Sequence, residues 1–305
     1  MSNVRSTWKR SGDEGNLVFY DKATADVALA LKNTTSVAAD DALVWVSTDG
    51  DDDYGQGTIN SPYLTIAKAF SVVTATRKAV VLLPGEYSSA ASIAWPTLIT
   101  DVLLTGITPD YESTVIKCTA GDEAIDIAPA AAVKGNNFLA FMANLTVDVD
   151  DSINGVQIDN TLMDTTSKKL IVTFRDCGFS NETDTDKSVY WLNTASKCRI
   201  KMYMHGRGLG GNNIEGLVYV NYFNSGDRCK CNGMNFEGGI QFGTQTQAAE
   251  GEFYNCIMKL AGGSGGQATQ QLQACGCVSK DGMTYAIAAK GDFATNANES
   301  FLSFT

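Results

Sequence analysis

The reading of one stretch decides the fold: VWVSTDGDDDYGQGTINSPYLTIAKAF (Val44–Phe70), followed by AVVLLPGEY (Ala79–Tyr87) and DVLLTG (Asp101–Gly106). Val44 to Val46 reads as a short strand. The Asp- and Gly-rich run Asp49 to Gly57 ends it, because both residue types favour turns over strands. After Pro62 the apolar positions Leu64, Ile66, Ala67, Ala69, Phe70 and Val73 follow a helical period, with Thr65 placed to cap it. Val80 to Leu83 is a fully apolar strand, Pro84-Gly85 a turn, and Val102 to Leu104 a further strand ended by Gly106. One short helix followed by short parallel strands is the expected pattern.

The run Val46-Ser47, Gly50, Asp52, Gly57-Thr58, Pro62-Tyr63, Thr65-Ile66 and Ala69, continued by Leu82, Pro84-Gly85 and Tyr87, resembles the opening segment of right-handed parallel β-helix proteins of the pectin-lyase-like group. The resemblance implies an all-β solenoid whose open end is capped by the short helix, with the first coils behind it. It specifies fold and leaves function open, since the scaffold carries lyases, hydrolases, epimerases, phage tailspikes and non-catalytic virion proteins.

Composition narrows the classes. An apolar content of 44% suffices for a sizeable core. No apolar run approaches the ~20 residues of a membrane span, and Met1 to Arg10 lack the apolar segment of a secretion signal. We therefore expect a protein that assembles in a host cytoplasm, without a membrane partner. A net charge of −11 argues against a nucleic-acid partner, whose phosphates call for a Lys/Arg surface.

The eight cysteines include two CxC pairs, Cys229/Cys231 and Cys275/Cys277. Alternate residues of a strand share a face, so each pair could chelate, yet structural zinc sites space their ligands by two to four residues around a turn. Buried small apolar residues are the expectation, and no metal or cofactor is predicted.

Residues 1–40 read as an N-terminal arm and 41–305 as the β-helix domain. The arm's large apolar residues are Trp8, Leu17, Val18, Phe19 and Tyr20, with GDEG between them as a turn, which suggests a small hairpin that must lean on something else. The order Trp, basic residues, Gly, then Leu-Val-Phe-Tyr-Asp is similar to the starts of some phage structural proteins.

From Val115 onward short apolar strands recur: VIKC (115–118), AIDIA (124–128), FMANLTVDV (141–149), GVQI (155–158), LIVTFRDCGFSN (170–181), RIKMYMH (199–205), LVYVNYF (217–223), CKCNGMNF (229–236), EFYNCIMKL (252–260) and LQACGCV (272–278). Cys177, Cys256 and Cys275 follow Asp, Asn or Ala in a shared motif, the last two roughly 19 residues apart, near one coil of such a solenoid. Stacked in register, these three would form an inward ladder, with the adjacent Asn or Asp serving the turn.

For chemistry, glycoside hydrolysis needs carboxylates paired across a substrate. Asp49 to Asp53 and Glu182 to Asp186 read as solvated turns. Asp148, Asp150 and Asp151, with Arg175 on a following coil, form the one constellation suited to a glycan, a cation or β-elimination. Polygalacturonase-like enzymes of this fold carry paired-Asp, His-Gly and Arg-Ile-Lys motifs. Here Asp150-Asp151, Arg199-Ile200-Lys201 and His205-Gly206 occur, but Arg-Ile-Lys precedes His-Gly, and HGRGLGGNN reads as a turn.

The sequence thus points to a non-enzymatic phage virion protein: a homotrimeric capsid decoration protein whose arm (Trp8, Leu17, Val18, Phe19, Tyr20) docks on the major capsid protein. The alternative is a tailspike-like receptor-binding protein or glycan depolymerase. In that reading a host glycan binds loops near Asp148–Asp151 and Gly206–Asn213, with Trp191, Tyr219 and Tyr222 stacking on sugar rings.

Overall fold

The computed structural model describes residues 17–18, 30–31, 42–119, 123–133, 137–149, 154–163, 168–181, 187–193, 197–207, 212–221, 226–242, 249–258, 270–275 and 277–279. Two short strands come first, β1 (Leu17–Val18) and β2 (Ala30–Leu31), paired antiparallel as a sheet of their own. The strand of the expected arm hairpin therefore pairs with Ala30–Leu31; Trp8, the GDEG turn, Phe19 and Tyr20 lie outside the described residues.

β3 (Leu43–Val46) opens the main body, followed by the helix α1 (Ile66–Ser71). Thr65 caps α1 as its sequence position predicts, its hydroxyl accepting from Lys68 N–H at 3.1 Å. Ile66, Ala69 and Phe70 are buried on one face, where Phe70 meets Trp95 with ring centroids 5.0 Å apart. The Asp-rich turn is more than a solvated face. Asp52 accepts from the backbone of Leu64 and Thr65 and from the Thr65 hydroxyl, tying the excursion to the helix start.

Then the chain repeats a coil of three strands. The first is β4 (Ala79–Leu82), β5 (Gly85–Ser89) and β6 (Ile93–Ala94); the second β7 (Val102–Gly106), β8 (Thr114–Cys118) and β9 (Glu123–Ile127). Next come β10 (Asn137–Ala143), β11 (Thr146–Val149) and β12 (Asn154–Asp159), then β13 (Lys169–Arg175), β14 (Gly178–Asn181) and β15 (Lys187–Leu192). They are followed by β16 (Arg199–His205), β17 (Asn212–Ile214) and β18 (Leu217–Val220), and by β19 (Arg228–Asn232), β20 (Met234–Phe236) and β21 (Ile240–Phe242). β22 (Ala249–Tyr254), β23 (Ile257–Met258), β24 (Gln270–Cys275) and β25 (Val278–Ser279) complete the described strands.

Corresponding strands of successive coils pair parallel and build three sheets, nine-, eight- and six-stranded. This is a parallel β-helix: each strand's neighbours lie one coil away, and the rest of the coil is the crossover that parallel pairing requires. Side chains alternate in and out. Phe138–Leu170–Ile200, Ala140–Val172–Met202 and Met142–Phe174–Met204 form inward rows across β10, β13 and β16. All nine are buried, each larger side chain contributing about 1.5–3 kcal/mol of transfer free energy.

Several runs that read as single strands are two, broken at a corner. Asn144, Asp176 and Asn255 have φ near 50°, and Gly233 has φ 72°. Asn, Asp and Gly enter this left-handed region at least cost, so they turn the chain from one sheet into the next.

The residue after each corner points inward. In register, Leu145, Cys177, Asn212, Met234, Cys256 and Cys277 form one buried column. The cysteine ladder therefore continues from Cys256 to Cys277 and not to Cys275, which ends β24 opposite Tyr254. The motif spacing falls two residues short of the structural register.

Candidate functional site

Chemistry concentrates on the outer face of the nine-stranded sheet, in rows perpendicular to the strands. One row runs Ile171, Lys201, Arg228; the next Leu103, Phe141, Thr173, Tyr203, Lys230, Glu252; the third Ala143, Arg175, His205, Asn232, Tyr254. Lys169 and Arg199 pair at the strand starts. Six cationic side chains therefore share β13, β16 and β19 in a chain of net charge −11. Strands lie about 4.8 Å apart, so the face offers donors at short, regular intervals along the solenoid axis.

Two carboxylates close the edges of this field. Glu252, only 9% exposed, accepts from Arg228, from Lys230 Nζ at 3.0 Å and from the Tyr254 hydroxyl at 3.1 Å. Asp176 stands 3.6 Å from Arg207 Nε and 3.9 Å from Arg175 Nε. The Arg207 guanidinium and Lys230 ammonium also lie over the Tyr111 and Tyr254 rings, at 5.8 and 5.1 Å. What the face can do is neutralise an anionic group laid across several coils.

His205 ends β16 as a strand residue rather than opening a turn, and residues 208–211 of the following Gly-rich run lie outside the described residues. Burial, then the Arg175 and Lys230 charges, hold its imidazole below the ordinary 6.5, with Asp176 opposing weakly. The unfolded chain thus takes up the proton more readily than the folded one. Stability should fall as pH drops below about 6.5 and level off beneath the folded value. Urea unfolding of wild type and His205→Gln across that window should show a shallower acid-side slope in the variant.

The residues singled out from sequence fall in different places. Asp148 faces outward on β11, in the eight-stranded sheet, with Lys117 Nζ at 3.8 Å. Arg175 ends β13 in the nine-stranded sheet, so the two belong to different faces. Asp150 and Asp151 lie outside the described residues, as does Tyr222. Trp191 is fully buried, its indole N–H donating to Met202 Sδ at 3.4 Å, which makes it core and not a sugar platform. Tyr219 does face outward, 5.6 Å from Tyr190.

The seven cysteines whose side chains are described, Cys118, Cys177, Cys198, Cys229, Cys231, Cys256 and Cys277, are core residues. Cys229 and Cys231 both point inward from β19, with Sγ atoms 3.7 Å apart. Burial pushes the Cys177 and Cys198 thiols up to about 12. Among the described residues no group of three or more His, Cys, Asp or Glu is arranged to hold a metal; the Cys275 side chain lies outside them. No helix among them is long and apolar enough to cross a membrane.

Sequence reasoning missed the cationic rows, Glu252 and Tyr190. The alternation in RIKMYMH places Arg199, Lys201, Tyr203 and His205 on one face. Their lateral neighbours depend on coil lengths, which no local pattern reports.

A family model described as "Protein of unknown function (DUF1565)" matches residues 48–250, more than half of the chain. No curated protein and no solved structure matches. The matched span holds the coils from β4 through β21, and the chain belongs to the DUF1565 family.

Proposed function

We propose that this chain is a non-enzymatic structural protein of a bacteriophage virion, a homotrimeric capsid decoration protein. In this reading the solenoid is right-handed, α1 covers its open first coil, and the N-terminal arm docks on the major capsid protein. The observation that carries the reading is the antiparallel β1–β2 ladder, a sheet separate from the three parallel ones. An arm that pairs with itself is suited to gripping a partner while the β-helix projects. The resemblance of the Trp8-to-Asp21 segment to the starts of phage structural proteins supports it. The carboxylates Asp148, Asp176 and Glu252 are each engaged by cations rather than poised in pairs, which supports a non-catalytic role.

Docking only on the assembled shell would stabilise that shell by mass action. Co-sedimentation with capsids stripped of this protein tests the reading. Full-length protein should pellet with the shells and a variant lacking residues 5–20 should stay in the supernatant. Equal pelleting of both, or of neither, overturns it.

A tailspike-like receptor-binding role is the second reading. It is favoured by the cationic rows around Lys201 and Tyr203, which suit an anionic cell surface.

A further inference from the structure

The outer face of the six-stranded sheet differs in chemistry from the cationic face. One row crosses it in register, a residue per coil: Ala94, Asp126, Gln157, Tyr190, Tyr219, Gln241. The Tyr190 and Tyr219 rings come from adjacent coils, with centroids 5.6 Å apart and planes 46° apart. Gln157 Nε2 donates to Asp126 Oδ1 at 3.3 Å, so the amide and the carboxylate are held in line beside the rings. Lys187, on the neighbouring row, places its ammonium 4.1 Å from the Tyr190 centroid and 5.6 Å from that of Tyr219.

We infer that this row is a binding site for an uncharged glycan laid along the solenoid axis, its sugar faces on Tyr190 and Tyr219 and its hydroxyls on Gln157, Asp126 and Gln241. Two features of the row select that ligand. Tyrosine rings present a flat apolar surface with a polar rim, the match for a pyranose whose C–H faces are apolar and whose edge carries hydroxyls. Gln and Asp offer donors and acceptors one strand apart, about 4.8 Å, a step comparable to a sugar ring, so a linear chain meets a new polar group at each coil.

The charge balance disfavours an anionic ligand here. Asp126 shares the row, and burial first, with the Asp159 charge adding to it, pushes both Asp126 and Tyr190 upward. Lys187 is the cation over the rings, already engaged with them. A protein partner would call for an apolar core around the two tyrosines, and among these six side chains only Ala94 at the end of the row is aliphatic. The site is independent of the capsid-docking reading, since it uses no arm residue.

Isothermal titration calorimetry of the full chain with cellohexaose, maltohexaose and mannohexaose, against hexagalacturonate, tests the inference. At least one neutral hexasaccharide should bind at millimolar concentration or below. Tyr190→Ala and Tyr219→Ala should each weaken it about tenfold, a loss of about 1.4 kcal/mol. Tyr190→Phe should retain most of the affinity, and Glu86→Gln, exposed on β5 of the eight-stranded sheet, should leave it unchanged. Gln157→Ala removes a surface amide with little risk to folding and should also weaken binding. The inference is overturned if no neutral hexasaccharide binds, or if binding survives Gln157→Ala and the tyrosine substitutions. It is equally overturned if those substitutions alter only self-association.

Discussion

Trp191→Ala is expected to lower the free energy of unfolding by about 3–5 kcal/mol, the range for removing a fully buried aromatic side chain. Trp191 lies inward on β15, in register with Ile158, and is fully buried. The cavity would sit between coils whose walls are strands hydrogen-bonded on both sides, so collapse around it is limited. Trp191→Phe should lose less, since it keeps one aromatic ring in the core while giving up the weak N–H donation to Met202 sulfur. Because a solenoid is stabilised coil by coil, the loss should appear first near the substitution. Hydrogen exchange should show protection falling in β12, β15 and β18 before β4 or β7. Uniform loss across all coils, or a cost below about 1 kcal/mol, would contradict this account of the core.

The second large effect is expected at Asp227, which is fully buried. Its carboxylate accepts from Asn193 Nδ2 at 2.7 Å and from Ile200 N–H at 2.8 Å. Asn193 in turn accepts from Asn160, and Asn160 also donates to the Cys198 carbonyl at 2.7 Å. The three side chains make a polar ladder that climbs one coil at a time inside an otherwise apolar wall. Asp227→Ala leaves the Ile200 N–H without this acceptor and strips the top from the ladder. Each buried donor so abandoned costs about 1–3 kcal/mol.

Asp227→Asn tests the geometry more finely. The amide keeps the shape and one oxygen, but its NH2 group must face the Asn193 amide or the Ile200 N–H. Equilibrium urea unfolding should rank wild type above Asp227→Asn and that above Asp227→Ala. An Asn variant as stable as wild type would show that the carboxylate's second lone-pair set is not used.

Both effects rest on positions that the sequence marks unequally. Trp191 sits in KSVYWL, an alternating stretch, and reads equally as core or as an exposed stacking residue, because a single tryptophan fits either side of a strand. Asp227 lies in SGDRC, which reads as a turn, and nothing local tells that it is buried under two coils. The corner residues were more legible. Asn144, Asp176 and Asn255 are of the type that tolerates positive φ, and Asp176 and Asn255 each precede a cysteine of the shared motif.

What the sequence by itself determined is the coil: short runs of alternating apolar residues, Asn, Asp or Gly at the corners, and a helix capped by Thr65 before the first complete turn. These are local matters, settled within a few residues by propensity, capping and the two-residue period of a strand. Only the tertiary structure decided which residues became neighbours. A coil varies in length, so Lys169 pairs with Arg199 but Arg228 with Glu250, and Cys256 stacks on Cys277 instead of Cys275. Register in a parallel stack is set by how the inward side chains of consecutive coils pack. That packing gathers six cations onto one outer face and two tyrosines onto another, and net charge and spacing along the chain carry no record of either.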